Sequence, residues 1–237
     1  MIDDAVTSGA RRLGIELPGC AAAAFERYGA VLEEKNRVMN LTAISGEREV
    51  AALHFLDSLA LLTLPCFETL AGASVIDVGS GAGFPGLPLK IAVPELALTL
   101  LDAQQKRVGF LRELCETLAL QDVSCVHARA EEYAATARGS FDFAASRAVA
   151  RLNVLCELCL PLVKTGGYFV AMKGADSDGE IREAQAAITL LGGGEPQITD
   201  YAIPGTGITH RAVVIQKTSA TPEAYPRKFK KIQTHPL

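Results

Sequence analysis

The segment Asp77-Val78-Gly79-Ser80-Gly81-Ala82-Gly83, directly after the apolar run Val75-Ile76, constrains the fold of this chain more than any other stretch. An apolar run ending in an acid and three alternating glycines describes a buried strand that turns sharply into a ligand site. Glycine has no Cβ, so the backbone bends tightly and approaches a ligand closely. Such turns belong to open α/β sheets, and from residue 74 onward apolar runs of strand length alternate with helical patterns. Strands are expected near 74–78, 96–101, 123–127, 141–146 and 167–172, and helices near 86–92, 104–119, 151–163 and 178–191. Residues 197–203 and 211–217 are joined through Pro204-Gly205-Thr206-Gly207, which predicts an antiparallel hairpin. The expected fold is therefore α/β, a mostly parallel seven-stranded sheet finished by a C-terminal hairpin.

The first seventy residues show no strand pattern. Phe25, Tyr28, Leu32 and Met39 recur on one helical face, with Glu26, Glu33, Glu34, Lys35 and Arg37 opposite. A second helix is expected from Ser45 through Val50, Leu53 and Leu61, stopped by Pro65. These boundaries divide the chain into a helical cap (1–70), a cofactor-binding domain (71–220) and a basic tail (221–237).

With 49% apolar residues the chain can bury a sizeable core, and its net charge of −4 argues against gripping nucleic acid with the whole surface. The charge is uneven, since residues 200–237 hold six Lys/Arg against two Asp/Glu. The start, Met1-Ile2-Asp3-Asp4, lacks the pattern of a secretory signal, and no apolar stretch approaches membrane-spanning length, so a cytoplasmic monomer without membrane contact is expected. Six scattered cysteines suit reduced thiols. Cys156 and Cys159 lie within an apolar helix without a second pair, which fits core packing and no metal.

The acid before the first glycine selects the cofactor. A dinucleotide brings a pyrophosphate to helix N–H groups, whereas S-adenosylmethionine brings an ammonium and a sulfonium that welcome a carboxylate such as Asp77. The competing pattern Gly81-Ala82-Gly83-Phe84-Pro85-Gly86 also satisfies G-x-G-x-x-G and keeps an NAD(P)-dependent oxidoreductase open. No Gly-Lys-Ser/Thr follows, which disfavours Walker-type binding. Asp102, ending the second strand, is placed to accept from ribose hydroxyls. Arg129-Ala130-Glu131-Glu132 is either a loop along the adenine edge or a helix start. Arg147, at the end of the fourth strand, sits where ligands collect.

Absent motifs narrow the reaction. Methylation of exocyclic amines goes with an Asn/Asp-Pro-Pro-aromatic turn after strand four, where this chain has Ala145-Ser146-Arg147-Ala148. Carbon methylation of pyrimidines needs a nucleophilic cysteine, and Pro65-Cys66 precedes the cofactor turn. A ring nitrogen such as N7 of guanine needs only positioning. His54, Asp57 and Ser58 share a helix face without a nucleophile elbow, and His127 at a strand end suits packing. The tail Tyr225-Pro226-Arg227-Lys228-Phe229-Lys230-Lys231 reads either as a phosphate-tracking arm or as a solvated terminus.

Across nearly its whole length the chain closely resembles the bacterial glucose-inhibited division protein B family of small-subunit ribosomal RNA methyltransferases. The resemblance rests on Asn40-Leu41-Thr42-Ala43-Ile44, His54 through Leu59, Asp77 through Pro88, Lys106-Arg107, Arg129-Ala130-Glu131, Arg147-Ala148, Lys173-Gly174 and Tyr225 through Lys228. It implies a Rossmann-like class I methyltransferase fold with an N-terminal helical cap, and transfer from S-adenosylmethionine to N7 of one guanine in 16S ribosomal RNA, free or in the small subunit. It further implies donor contacts at Gly79, Phe84, Asp102, Ala130, Glu131 and Arg147, beside Gly81 and Gly83 of the turn. RNA contacts are implied at Lys106, Arg107, Lys173 and Arg227, with Lys228 beside them, and His54 and Asp57 join the RNA-facing site as positioning candidates. The chain lacks the family's usual Trp before Asn-Leu-Thr, and Ala103 follows Asp102 where a serine is usual. A small-molecule methyltransferase, favoured by the acidic bulk charge, and a donor-binding RNA sensor are the alternatives.

Overall fold

A computed structural model describes all residues, 1–237. Seven strands form one sheet: β1 (Ser74–Val78), β2 (Ala97–Asp102), β3 (Val123–His127), β4 (Phe141–Arg147), β5 (Val163–Gly174), β6 (Gln197–Ala202) and β7 (Thr209–Gln216). Their order is β3-β2-β1-β4-β5-β7-β6, with the first five parallel and β7 antiparallel to β5 and β6. The chain winds outward from β1 to β3 and then returns to β4 on the other side of β1. The switch point thus lies at the carboxyl ends of β1 and β4, where a crevice opens. β5 begins four residues before the expected 167. Its glycines permit this, because a Cβ on Gly167 would meet the Asp142 carbonyl oxygen at 2.4 Å.

Helices cover both faces, as parallel strands buried on both sides require. One face carries α7 (Ala130–Ala137), α8 (Leu152–Cys159) and α9 (Asp178–Leu190), packed on Ile76, Ala144, Phe169 and Val213. Cys156 and Cys159 are fully buried there, as apolar filling. The other face carries α1 (Ile2–Arg12), α2 (Ala21–Met39), α5 (Gly86–Ala92) and α6 (Gln105–Thr117). Phe25, Tyr28 and Phe55 are wholly buried and share one core with Val75, Leu98 and Val170 of the sheet, so the first seventy residues form a layer of the fold. No helix is long and apolar enough to cross a membrane.

The helix expected from Ser45 to Pro65 is not regular. It runs as α3 (Glu47–Val50), a π-helical stretch Ala51–Leu56, a single turn α4 (Asp57–Leu59) and a 3₁₀ turn Ala60–Thr63. π turns are rare and concentrate at functional sites. Here the stretch contains His54 and stops at Asp57.

The C-terminal tail is neither a free arm nor a solvated end. Ile232 of α10 (Phe229–Thr234) is fully buried among residues of α7 and α8, and the Arg129 guanidinium lies 4.7 Å over the Phe229 ring. Arg227 pairs bidentately with Glu157 of α8, Nε to Oε1 at 2.8 Å and Nη2 to Oε2 at 2.6 Å, and its backbone N–H donates to Oε1 as well. Glu157 is 1% exposed. Removing one partner of a buried pair strands the other charge, so Arg227→Met is expected to lower stability by about 3–5 kcal/mol. Urea unfolding checks it, and the double change Glu157→Met/Arg227→Met should recover most of the loss.

Candidate active site

The turn after β1 is fixed from three sides. Gly79 and Ser80 donate backbone N–H bonds to the Leu101 carbonyl at 2.8 and 3.1 Å, and Gly81 N–H donates to Asp102 Oδ2 at 3.0 Å. From α2, Tyr28 donates its hydroxyl to the Ala82 carbonyl at 2.6 Å. Gly83 has φ +103°, and a Cβ there would strike the Tyr28 oxygen at 2.5 Å, so this contact requires glycine. Gly81, at φ +56°, is uncrowded: a Cβ there would meet only the Gly79 carbonyl oxygen, at 3.8 Å. The turn therefore offers bare backbone to a cavity of about 400 Å³.

That cavity is walled by Gly79, Gly81, Phe84, Asp102, Arg107 and Arg147, with Thr42 and His54. Asp102 also accepts from Gln104 N–H at 2.8 Å, which leaves acceptor capacity on both oxygens for a diol. Asp77 lies off the wall, wholly buried beneath the turn. Its Oδ2 accepts from Gly86 N–H at 2.9 Å, while Oδ1 has no partner. Burial pushes this carboxyl up to about 7. A buried, half-satisfied acid under a bare glycine turn suits a cationic ligand. Ala130 and Glu131 open α7 away from this wall, Ala130 buried and Glu131 half-buried.

Arg147 organises the floor. Its Nη1 donates to the Leu53 carbonyl at 2.9 Å and to Asp57 Oδ2 at 3.0 Å, and its Nη2 lies 2.8 Å from His54 Nδ1. A guanidinium only donates, so His54 Nδ1 must be the unprotonated nitrogen. Burial first, and Arg147 second, push the His54 ring down to about 3, so it is neutral. The ring stacks on Phe84 at 4.3 Å between centroids, with the Arg147 guanidinium 4.9 Å from the same ring. Asp57 Oδ1 accepts from Tyr201 Oη at 2.9 Å and pairs with His210 Nδ1 at 2.8 Å. Burial alone would raise the Asp57 carboxyl, but the His210 bond and the Arg147 charge overcome it and hold it below the usual range.

Beyond this floor a second cavity of about 520 Å³ opens, bounded by Ile44, Leu53, Met172, Lys173, Ile208 and His210. The two cavities share Thr42, His54, Arg147 and Ala148 as a common wall. The irregular helix laid against the end of β4 thus brings His54 and Asp57 to Arg147. Tyr28, Tyr201 and His210 were not expected here, and nothing near them in sequence marks their roles.

The basic residues scatter. Lys106 and Lys228 are exposed, while Arg107 lines the first cavity, 3.7 Å from Asp102. Lys173 lines the second cavity but spends its ammonium on Glu180 at 2.6 Å and the Ala150 carbonyl at 2.7 Å. Arg227 is turned inward on Glu157, so its guanidinium is not offered to a phosphate. His127 lies outside both cavities, 3.2 Å from the Ala103 carbonyl.

A mostly parallel seven-stranded sheet with a terminal hairpin and a bare glycine turn at its switch point defines a class I methyltransferase. Solved structures agree on the fold: a predicted O-methyltransferase from Agrobacterium tumefaciens superposes with a TM-score of 0.54 at 19% identity, covering 72% of this chain and 82% of that one. Residues 21–205 match the GidB family, described as rRNA small subunit methyltransferase G, and the chain belongs to that family. It is 47% identical to the ribosomal RNA small subunit methyltransferase G of Alkaliphilus metalliredigens over 93% of this chain and 92% of that protein. The counterpart in Alkaliphilus oremlandii is 44% identical over 100% and 99%.

Proposed function

We propose that the protein, acting in the cytoplasm, methylates N7 of a guanine in 16S ribosomal RNA, with S-adenosylmethionine as donor. One observation carries the reading: two adjoining cavities share a wall of Thr42, His54, Arg147 and Ala148, and none of these four groups is free to take a proton. The neutral His54 has its basic nitrogen occupied by Arg147, and Asp57, in the second cavity beside it, is a poor base because its bond to His210 and the Arg147 charge hold it below the usual carboxylate range. Neither cavity is lined by a cysteine. Amines and pyrimidine carbons would need such help, whereas N7 of guanine presents a free lone pair.

When bound, the donor supplies an electrophilic methyl on a sulfonium. The residues of the first cavity fit it. Gly81 admits it to the backbone beside Gly79, whose Cβ side is covered by Val149, Asp102 has acceptor capacity for the ribose, and Asp77 balances its positive charge from beneath. Ala130 and Glu131, which stand apart from the cavity wall, remain the candidates for the adenine end. Arg147 and Phe84 hold the shared wall rigid, so the protein contributes orientation and exclusion of water. Lys106, Arg107 and Lys228 are the basic side chains left for phosphates.

The test is transfer of labelled methyl to small ribosomal subunits isolated from cells lacking this modification, followed by mass mapping of the RNA. One guanine carrying the label, with the methyl on N7, is the expected result. Label on another atom, or on a small molecule alone, defeats the reading.

A further inference from the structure

The hydrogen-bond chain through Arg147 ends on a hydroxyl with one unspent valence. Because Arg147 Nη2 donates to His54 Nδ1, the single ring proton of His54 sits on Nε2, 2.8 Å from Thr42 Oγ1. Thr42 Oγ1 also accepts the Ile44 backbone N–H at 3.0 Å. Both lone pairs of this oxygen are thereby used, and its own proton has no acceptor in the protein. The side chain is clamped as well, since the Thr42 backbone N–H and C=O bond the Asn36 side chain at 2.9 Å each. A hydroxyl so held is a donor only, and it stands on the wall common to both cavities.

A guanine that presents N7 presents O6, a second acceptor, on the same edge, whereas adenine presents an amino group there. We propose that the second cavity receives the target base and that Thr42 donates its hydroxyl proton to guanine O6, selecting guanine against adenine. This rests on the function proposed above and adds a specificity residue to it. Against adenine, two donors would face each other without an acceptor, and a donor left unpaired against the base is rejected. The apolar lining of Ile44, Leu53, Met172 and Ile208 suits a flat base, and the volume falls within the range of about 300–1,000 Å³ usual for small-molecule sites.

The experiment pairs a change in the protein with a change in the base. Small subunits are reassembled on 16S RNA carrying either guanine or 2-aminopurine, which keeps N7 but lacks O6, at the mapped position. Rates are measured for wild type, Thr42→Val and Thr42→Ser, with donor affinity measured for each. On guanine, Thr42→Val is expected to be slower by about tenfold to a hundredfold, with Thr42→Ser restoring most of the rate and donor affinity unchanged. On 2-aminopurine, wild type and Thr42→Val should react at similar rates. A valine variant as fast as wild type on guanine overturns the assignment, and so does an equal penalty on both bases. Loss of donor binding in both variants also overturns it, because Thr42 then acts by packing its loop. Absence of methyl transfer to RNA by wild type is a different failure and strikes the proposed function itself.

Discussion

Replacing Arg147 with methionine will lower methyl transfer on the order of a hundredfold and destabilise the fold by about 3–5 kcal/mol. Arg147 is the joint between β4 and the π-helical stretch, and Asp57, its partner, is 1% exposed. Without the guanidinium that carboxylate faces only Tyr201 and His210, and the His54 ring loses the donor that fixes its tautomer. Arg147→Lys separates the two effects. An ammonium opposite Asp57 restores part of the stability, but it cannot reproduce the fork that reaches Leu53, Asp57 and His54 together. Stability without turnover is the expected outcome for lysine, checked by urea unfolding beside single-turnover rates. In the methionine variant the His54 pKa should also rise from about 3, because one of the two influences lowering it is gone. NMR titration of the ring reads this directly, and an unmoved ring would contradict the hydrogen-bond assignment.

Asp77→Asn is expected to stabilise the ligand-free protein at high pH while weakening donor binding about tenfold or more. An aspartate titrates near 3.9 in an unfolded chain, and burial pushes Asp77 up to about 7. Between those values the folded protein keeps a proton that the unfolded chain has lost. The stability linked to this group is therefore full below about pH 4 and falls as pH rises through 7, a loss of roughly 4 kcal/mol when complete. Asparagine cannot ionise, so its stability relative to wild type should climb between pH 5 and pH 8. An amide N–H₂ left without an acceptor takes back about 1–3 kcal/mol, which sets the gain at pH 8 well below the full amount. Donor affinity of wild type should strengthen over the same interval as the carboxylate forms, and that of the variant should stay level. Calorimetric titration at several pH values distinguishes these, and parallel curves would remove Asp77 from the donor site.

The parts of this protein written in local sequence were legible there. β1 and β4 follow from apolar runs buried on both faces, β2 and the half-buried edge strand β3 from shorter ones, and the glycine turn follows from Gly79, Gly81 and Gly83, each at positive φ. The irregular helix after Ser45 was not, because apolar spacing reports which face is buried and does not distinguish an α turn from a π turn. Asp57 is held by residues 144 and 153 positions further on, a meeting created by the antiparallel placement of β7 beside β5. The tail misled through its charge. Its lysines are exposed, but Tyr225, Phe229 and Ile232 recur at near-helical spacing, and that apolar side was the sign of docking.

Asp57 is gripped by a side chain from each strand of the final hairpin, Tyr201 of β6 and His210 of β7. The carboxylate that receives Arg147 is consequently held on all sides only after more than four fifths of the chain has been threaded into place. During synthesis on a ribosome, a nascent polypeptide that stops short of residue 210 has the glycine turn complete, and Arg147 faces a carboxylate that still lacks one of its holders. The last support of the active-site floor therefore arrives late in synthesis, and methyl transfer by shortened chains reads how much the floor owes to it.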